Sequence, residues 1–276
     1  MHVHRLAPTA CLFVVAALLV SALPAAASWE PQPEDCDING TAGDDVLEGT
    51  PAVEVICGRG GNDLIIGNGG YDPAQPPGQH REDYLYGGDG DDTLIGSDRA
   101  WLFGGAGNDT LRCTNALDGG GCDMRAQEGD DVLRGGPGAD SLSGWPGADR
   151  LYGAAGNDWL TGGDGADELF GGSGNDDLWG DRGADRLSGG MGRDALRGRD
   201  GKDHVDGGKG KDLLYGGPHA DKLIGGPGSD IVYGKAGRDS LRLVDGTRDE
   251  GYGGPGVDSG KWDSGLDRVR GVEKRR

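Results

Sequence analysis

Between Gly135 and Arg242 one apolar side chain recurs every ninth residue, from Leu142 and Leu151 through Val205 and Val232 to Leu241. Polar or small residues fill most of the positions between. A period of nine is neither the 3.6 of an amphipathic helix nor the 2 of a half-buried strand. It fits a three-residue strand with the middle side chain inward, as in Trp159-Leu160-Thr161, followed by six residues of turn. Those six are rich in glycine, which lets the backbone take positive φ and expose its carbonyls. Two nonapeptides then close one coil of 18 residues, and successive coils stack at about 4.8 Å. The predicted fold class is all-β: a parallel solenoid of nonapeptide repeats with two sheets of short strands.

The register is strict. Twelve unbroken repeats run from Gly135 to Arg242, with Gly always first, Asp always sixth, and Gly fourth in all but one, where His219 stands instead. Upstream the phase slips but the unit persists, in Gly40–Glu48, Gly58–Ile66, Gly87–Ile95, Gly104–Arg112 and Ala126–Arg134. Three insertions break it: Pro73–Glu82, Cys113–Arg125 and Leu243–Tyr252. The units Gly253–Lys261 and Trp262–Arg270 decay toward the tail, with Gly260 in the apolar eighth position. The expected organisation is a signal peptide over 1–27, a linker or cap over 28–39, irregular repeats over 40–134, and the regular array over 135–242. An insertion, degenerate repeats and a basic tail follow over 243–276.

Composition alone points the other way. The chain of 276 residues holds 59 Gly and 13 Pro and a net charge of −20, a profile usual for disordered segments. Its acid is nearly all Asp, 38 against 9 Glu, which disfavours helices. The charge also argues against a nucleic-acid partner. The order of the residues, with one apolar side chain placed every nine, overrides the compositional reading.

The N-terminal stretch reads as an export signal: Arg5 opens it, an apolar run follows from Ala10 to Leu23, and Ala25-Ala26-Ala27 is a small-residue cleavage site. Cleavage after Ala27 predicts a secreted, extracellular chain with no membrane span, since the apolar run is too short to cross a bilayer. Four cysteines remain after cleavage, allowing three disulfide pairings. Cys36–Cys57 and Cys113–Cys122 are the expected pairs, because each brackets one irregular segment.

Residues 18 apart, such as Asp140 and Asp158, fall almost on top of each other in stacked coils. Two columns of carboxylates result, and they repel unless cations lie between them. Carboxylate and turn-carbonyl oxygens are hard ligands that favour calcium over zinc or magnesium. The candidate metal ligands are Asp45, Asp63, Asp92, Asp109, Asp131, Asp140, Asp149, Asp158, Asp167, Asp176, Asp185, Asp194, Asp203, Asp212, Asp221, Asp230 and Asp239. About ten or more calcium ions are expected. Their charge matches the −21 left when Arg5 is removed from a net −20.

The unit G-G-x-G-x-D-x-U-x, complete in Gly162-Gly163-Asp164-Gly165-Ala166-Asp167-Glu168-Leu169-Phe170, resembles the calcium-binding nonapeptide of the RTX (hemolysin-type) family. The resemblance covers roughly residues 40–270. It implies a parallel β-roll in which sixth-position aspartates of two stacked turns, with turn carbonyls, hold each calcium. The chain departs from the family in its N-terminal signal and basic end. Basic residues at the fifth position, Arg193, Lys202, Lys211 and Arg238, predict weaker sites than those beside Asn157 or Asn175.

Other signals carry little. Asp35, Asp37, Asn39 and Gly40 mimic the start of an EF-hand loop, but Val46 stands where its closing Glu belongs. No nucleophile elbow or helical His pair is found, so no enzyme activity is expected. Sorting outward residues by sheet puts Trp159, Trp179, Tyr215 and Tyr233 on one face, a docking surface for protein, glycan or a second copy, or plain cross-strand packing. The expected function is a secreted calcium-binding protein that folds on extracellular calcium, with a non-catalytic structural or interaction role. An RTX-like toxin or adhesin accessory at a cell surface is the alternative.

Overall fold

The computed structural model describes residues 36–50, 52, 54–68, 83–97, 99–114 and 120–274. The stretch 1–27 expected to be a signal peptide, most of the expected linker 28–39 and the insertion Pro73–Glu82 lie outside the described residues. Every regular element among those described is a strand. Two parallel sheets of 13 strands form, and strands alternate between them in chain order, so each coil contributes one strand to each sheet. The first sheet begins with Ile38–Asn39 and Val55–Gly60, the second with Val46–Glu48 and Leu64–Ile66.

The pairing register is set by the period of nine. Leu142 pairs with Leu160 and Leu160 with Leu178 in the first sheet, as Leu151 pairs with Leu169 in the second. The eighth-position residues of the regular array therefore face inward from both sides and are essentially fully buried. Burying one such side chain stabilises by roughly 1.5–3 kcal/mol, a contribution that repeats along both sheets. No helix is present among the described residues that is long and apolar enough to cross a membrane.

The strands are longer than the sequence predicts. Most in the array span six residues, as in Trp159–Asp164, and take in positions one to three of the next repeat. Pairing continues past the apolar residue because the first-position glycine is extended and buried. A chain reversal then follows at the fourth-position glycine, whose φ lies between +133° (Gly138) and +158° (Gly165, Gly237) in the eleven repeats that have it. His219 takes this place with φ +106°, a region that side chains rarely adopt.

Insertions leave the register intact. Residues Leu243–Tyr252, expected as an insertion that breaks the array, supply the strand Glu250–Tyr252 to the first sheet. Glu250 pairs with Ile231, 19 residues back instead of 18, so the insertion adds one residue to a coil. Leu243 turns into the core, where a Cβ on Gly251 would lie 2.8 Å from its Cδ1. It fills the space left where glycine replaces the apolar eighth residue.

Candidate metal centre

Turns leading from the first sheet to the second, here the outbound turns, end in Asp45, Asp63, Asp92, Asp109, Asp131, Asp149, Asp167, Asp185, Asp203, Asp221, Asp239 and Asp258. Return turns of the regular array, from the second sheet to the first, end in Asp140, Asp158, Asp176, Asp194, Asp212 and Asp230. Each sixth-position Asp sits at the inner corner before its strand, and the twelve of the array are at most 3 % exposed. The structure thus gathers the seventeen sequence-predicted aspartates into two columns, one along each edge.

Within a column the carboxylates make a ladder. The backbone N–H of Asp140 donates to Asp158 Oδ1 at 2.9 Å, and that of Asp158 donates to Asp176 Oδ1 at 2.9 Å. The opposite edge repeats this from Asp149 to Asp167 and from Asp167 to Asp185, both at 2.9 Å. One oxygen of each carboxylate is thereby satisfied. The other, Oδ2, is buried without a hydrogen-bond partner in Asp63, Asp92, Asp109 and Asp131 and in every array aspartate except Asp140. Asp140 Oδ2 accepts from the Gly136 N–H at 2.9 Å. Asp45, half-buried at the end of its column, turns Oδ2 to the Thr41 N–H and hydroxyl at 2.6 and 2.9 Å.

These orphaned oxygens share one environment. A Cβ on the first-position glycine Gly207 would stand 2.8 Å from Asp212 Oδ2 and 2.6 Å from the carbonyl oxygen of Gly225, one coil on. A carboxylate oxygen and a backbone carbonyl thus converge on the space that a side chain would take, which accounts for the glycine at position one throughout the regular array. Unsatisfied buried oxygens are costly, and a hard divalent cation is the ligand this donor set fits. Without one, burial pushes the carboxyls up: Asp109, Asp149, Asp158, Asp185, Asp194, Asp221 and Asp230 to about 7, and Asp92, Asp131, Asp167 and Asp203 to about 6. Neighbouring carboxylates raise the Asp149 and Asp158 values further, a repulsion that a cation would relieve.

Sequence reasoning missed four members, among them the half-buried Asp267, whose Oδ1 accepts from the Asp249 N–H at 3.1 Å. Asp83, Asp249 and Asp258 are as deeply buried as the rest. Asp249 Oδ1 accepts from the Asp230 N–H and Asp258 Oδ1 from the Asp239 N–H, both at 2.9 Å, and both have an orphaned Oδ2. Asp83 was legible, since Leu85 follows it at the repeat spacing. Asp258 was legible too, as the sixth residue of the unit Gly253–Lys261, whereas Asp249 was not, because Gly251 stands where the apolar residue would mark the unit.

An outer ladder runs beside the first, at position five. The Asn62 N–H donates to Asp44 Oδ1 at 2.9 Å, Asp91 to Asn62 at 3.0 Å, Asn108 to Asp91 at 2.7 Å and Asp130 to Asn108 at 2.9 Å. On the return edge Asn157 and Asn175 do the same, and the ladder ends at Arg193. Both expected disulfides are present, Cys36–Cys57 and Cys113–Cys122. The outward aromatics stack in columns: Trp159 on Trp179 at 5.8 Å, Tyr215 on Tyr233 at 5.0 Å and Tyr233 on Tyr252 at 4.9 Å between ring centroids.

The sequence model of the RTX calcium-binding nonapeptide repeat matches residues 37–65, 81–98, 100–112, 126–160, 152–187, 161–196, 188–218 and 210–241, well over half of the chain. No curated protein matches it. Repeat register, β-roll and the aspartate columns all agree with that match, and the chain belongs to the RTX calcium-binding nonapeptide repeat family.

Proposed function

We propose that this protein is a secreted, non-catalytic β-roll that folds outside the cell on binding about ten or more calcium ions. One observation carries the reading: buried Oδ2 atoms recur without a partner along both edges, most of them beside a backbone carbonyl of the next coil. A cation bridging neighbouring coils at these places offsets the burial of the carboxylates and ties each coil to the next. Extracellular calcium modules commonly bind at about 10⁻⁴–10⁻³ M, so the chain would stay unfolded until exported. The apolar run ending at Ala27 and the two cystines support export. A structural role is favoured over an enzymatic one because the buried carboxylates are committed to the ladders. Calcium titration of the mature chain, followed by circular dichroism and calorimetry, tests the reading. Cooperative gain of sheet with uptake of about ten or more ions is expected; equal sheet content in chelator and in millimolar calcium would refute it.

A further inference from the structure

The two kinds of turn differ at their second position. In return turns this residue is Gly136, Ala154, Gly172, Gly190, Gly208 or Gly226. In outbound turns it carries large side chains in spite of positive φ: Trp145 (+77°), Asp181 (+72°), Arg199 (+73°) and Lys235 (+77°). A non-glycine residue in this region costs free energy. Ala154 (+80°) is the one non-glycine at this position on the return turns of the array, so the large side chains belong to the outbound edge, and the backbone there does not need them, because Gly163 and Gly217 occupy the same position in the intervening coils. The side chains stand as posts with gaps between them.

Posts and gaps border an open groove along the first sheet. One stretch, about 730 Å³, runs past Asp181, Arg199, Gly217 and Lys235 with Tyr215 in its wall. A second, about 440 Å³, continues from Gly163 and Asp181 to Trp145. Trp145 is 56 % exposed. Lys235 Nζ lies 5.0 Å from the Tyr215 ring centroid and 5.1 Å from that of Tyr233. Arg199 pairs with Asp181 at 3.1 Å and covers the Trp179 ring at 4.2 Å. In the larger stretch four cations face three carboxylates, a nearly balanced lining on a protein of net charge −20.

We propose that this groove binds an extended, neutral, hydroxyl-rich polysaccharide strand lying along the solenoid axis. Aspartates and arginines side by side can accept from and donate to sugar hydroxyls, while the exposed indole of Trp145 packs on the apolar face of a sugar ring. A balanced lining does not suit the dense charge of a nucleic acid. It does not suit a second copy of this acidic chain either, and an apolar peptide would leave the charged posts desolvated and unpaired. The proposal goes beyond the calcium reading: it concerns the outward face of the folded roll.

The test uses the calcium-loaded protein and microcalorimetry with cellohexaose, laminarihexaose and maltohexaose, beside a hexauronate and a ten-nucleotide single strand. At least one neutral hexaose binds, and Trp145→Gly and the pair Arg199→Gly with Lys235→Gly each weaken it by about tenfold. Glycine is native to this position in neighbouring coils, so the variants keep the calcium-dependent dichroism of the parent. Ala154→Gly, on the return turns, leaves affinity unchanged. The proposal is overturned if no neutral hexaose binds, if the groove variants bind as the parent does, or if the hexauronate or oligonucleotide binds more tightly than every neutral hexaose.

Discussion

The regular array and the N-terminal coils have the same cross-section but hold their return edge by different chemistry. In the array that edge is an unbroken carboxylate column from Asp140 to Asp230, with orphaned oxygens from Asp158 onward. In the N-terminal coils the equivalent places are Cys36, Glu54, Asp83, Ala100 and Cys122. Glu54 and Ala100 offer their carbonyls to Tyr84 and Asp123 as array aspartates do to the strand one coil on. Two of the five are cystine halves, and the Cys122 N–H donates to Asp140 Oδ1 at 2.7 Å in the manner of a ladder aspartate. The outbound edge is a carboxylate column in both regions. Covalent closure thus stands in for ionic closure along one edge of the first coils. A disulfide persists whether or not calcium is present, so these coils are built to be the less calcium-dependent end.

Removing calcium is the strongest way to break that contrast. Hydrogen exchange in chelator should show complete loss of protection over 135–242, with protection retained in the disulfide-clipped strands Val55–Gly60 and Thr110–Cys113. Uniform exchange across both regions would mean that the disulfides do not substitute for the ion.

Acid should partly replace calcium. Asp149, Asp158 and Asp194 titrate near 7 in the fold against 3.8 for an ordinary Asp, because burial disfavours the carboxylate. The fold therefore binds protons that the unfolded chain has released, and its stability falls as pH rises between those values. The contribution is fully present below about 3.8 and is lost as pH passes about 7. In chelator, sheet content by circular dichroism should be higher at pH 4.5 than at pH 8, with the larger gain in the array, where both edges carry raised carboxyls. Saturating calcium, which supplies the charge otherwise taken from protons, should flatten the profile. A calcium-free profile that rises with pH would contradict the ladder electrostatics.

Reducing the cystines inverts the experiment. Loops of 21 and 9 residues are closed by Cys36–Cys57 and Cys113–Cys122. Opening loops of this length costs about 3 kcal/mol each in the chain-entropy account. With calcium present, reduction should lower the melting of the N-terminal coils and leave protection over 135–242 unchanged. Equal loss in both regions would show that the coils melt as one cooperative unit.

Much of this was legible in the sequence, and the parts that were not share a cause. The period of nine specifies two parallel sheets and the stacking of Asp140 on Asp158, because a strict register leaves one way to bury Leu142 and Leu160. It does not reveal that Oδ1 of each Asp is taken by a backbone N–H, which leaves one free oxygen per carboxylate instead of two. Asp249 escaped because it was sought through the apolar residue two places on, and Gly251 stands there. The ladder is kept by backbone pairing, so a coil tolerates a missing core residue when another, Leu243, fills the space. Cys122 escaped for a related reason: cysteines were read as brackets around an insertion, whereas coil register puts Cys122 in an aspartate's place.

The smallest effect tests the outer ladder. In the first coils Asp44, Asn62, Asp91, Asn108 and Asp130 cap the next coil's backbone N–H, whereas Lys202 occupies that position in the array between Ala184 and Ala220. Lys202 places a cation one residue from Asp203 and offers no acceptor. Lys202→Ala removes the charge alone. Lys202→Asn also restores an acceptor for the Ala220 N–H. Exposed charge effects and single hydrogen bonds are each worth about 0.5–1 kcal/mol, so calcium affinity at the flanking sites should rise about two- to fivefold for each contribution. The order Asn above Ala above Lys, read by calcium titration, would assign part of the difference between the regions to side chains outside the core. Equal affinity for all three would place it in the disulfides alone.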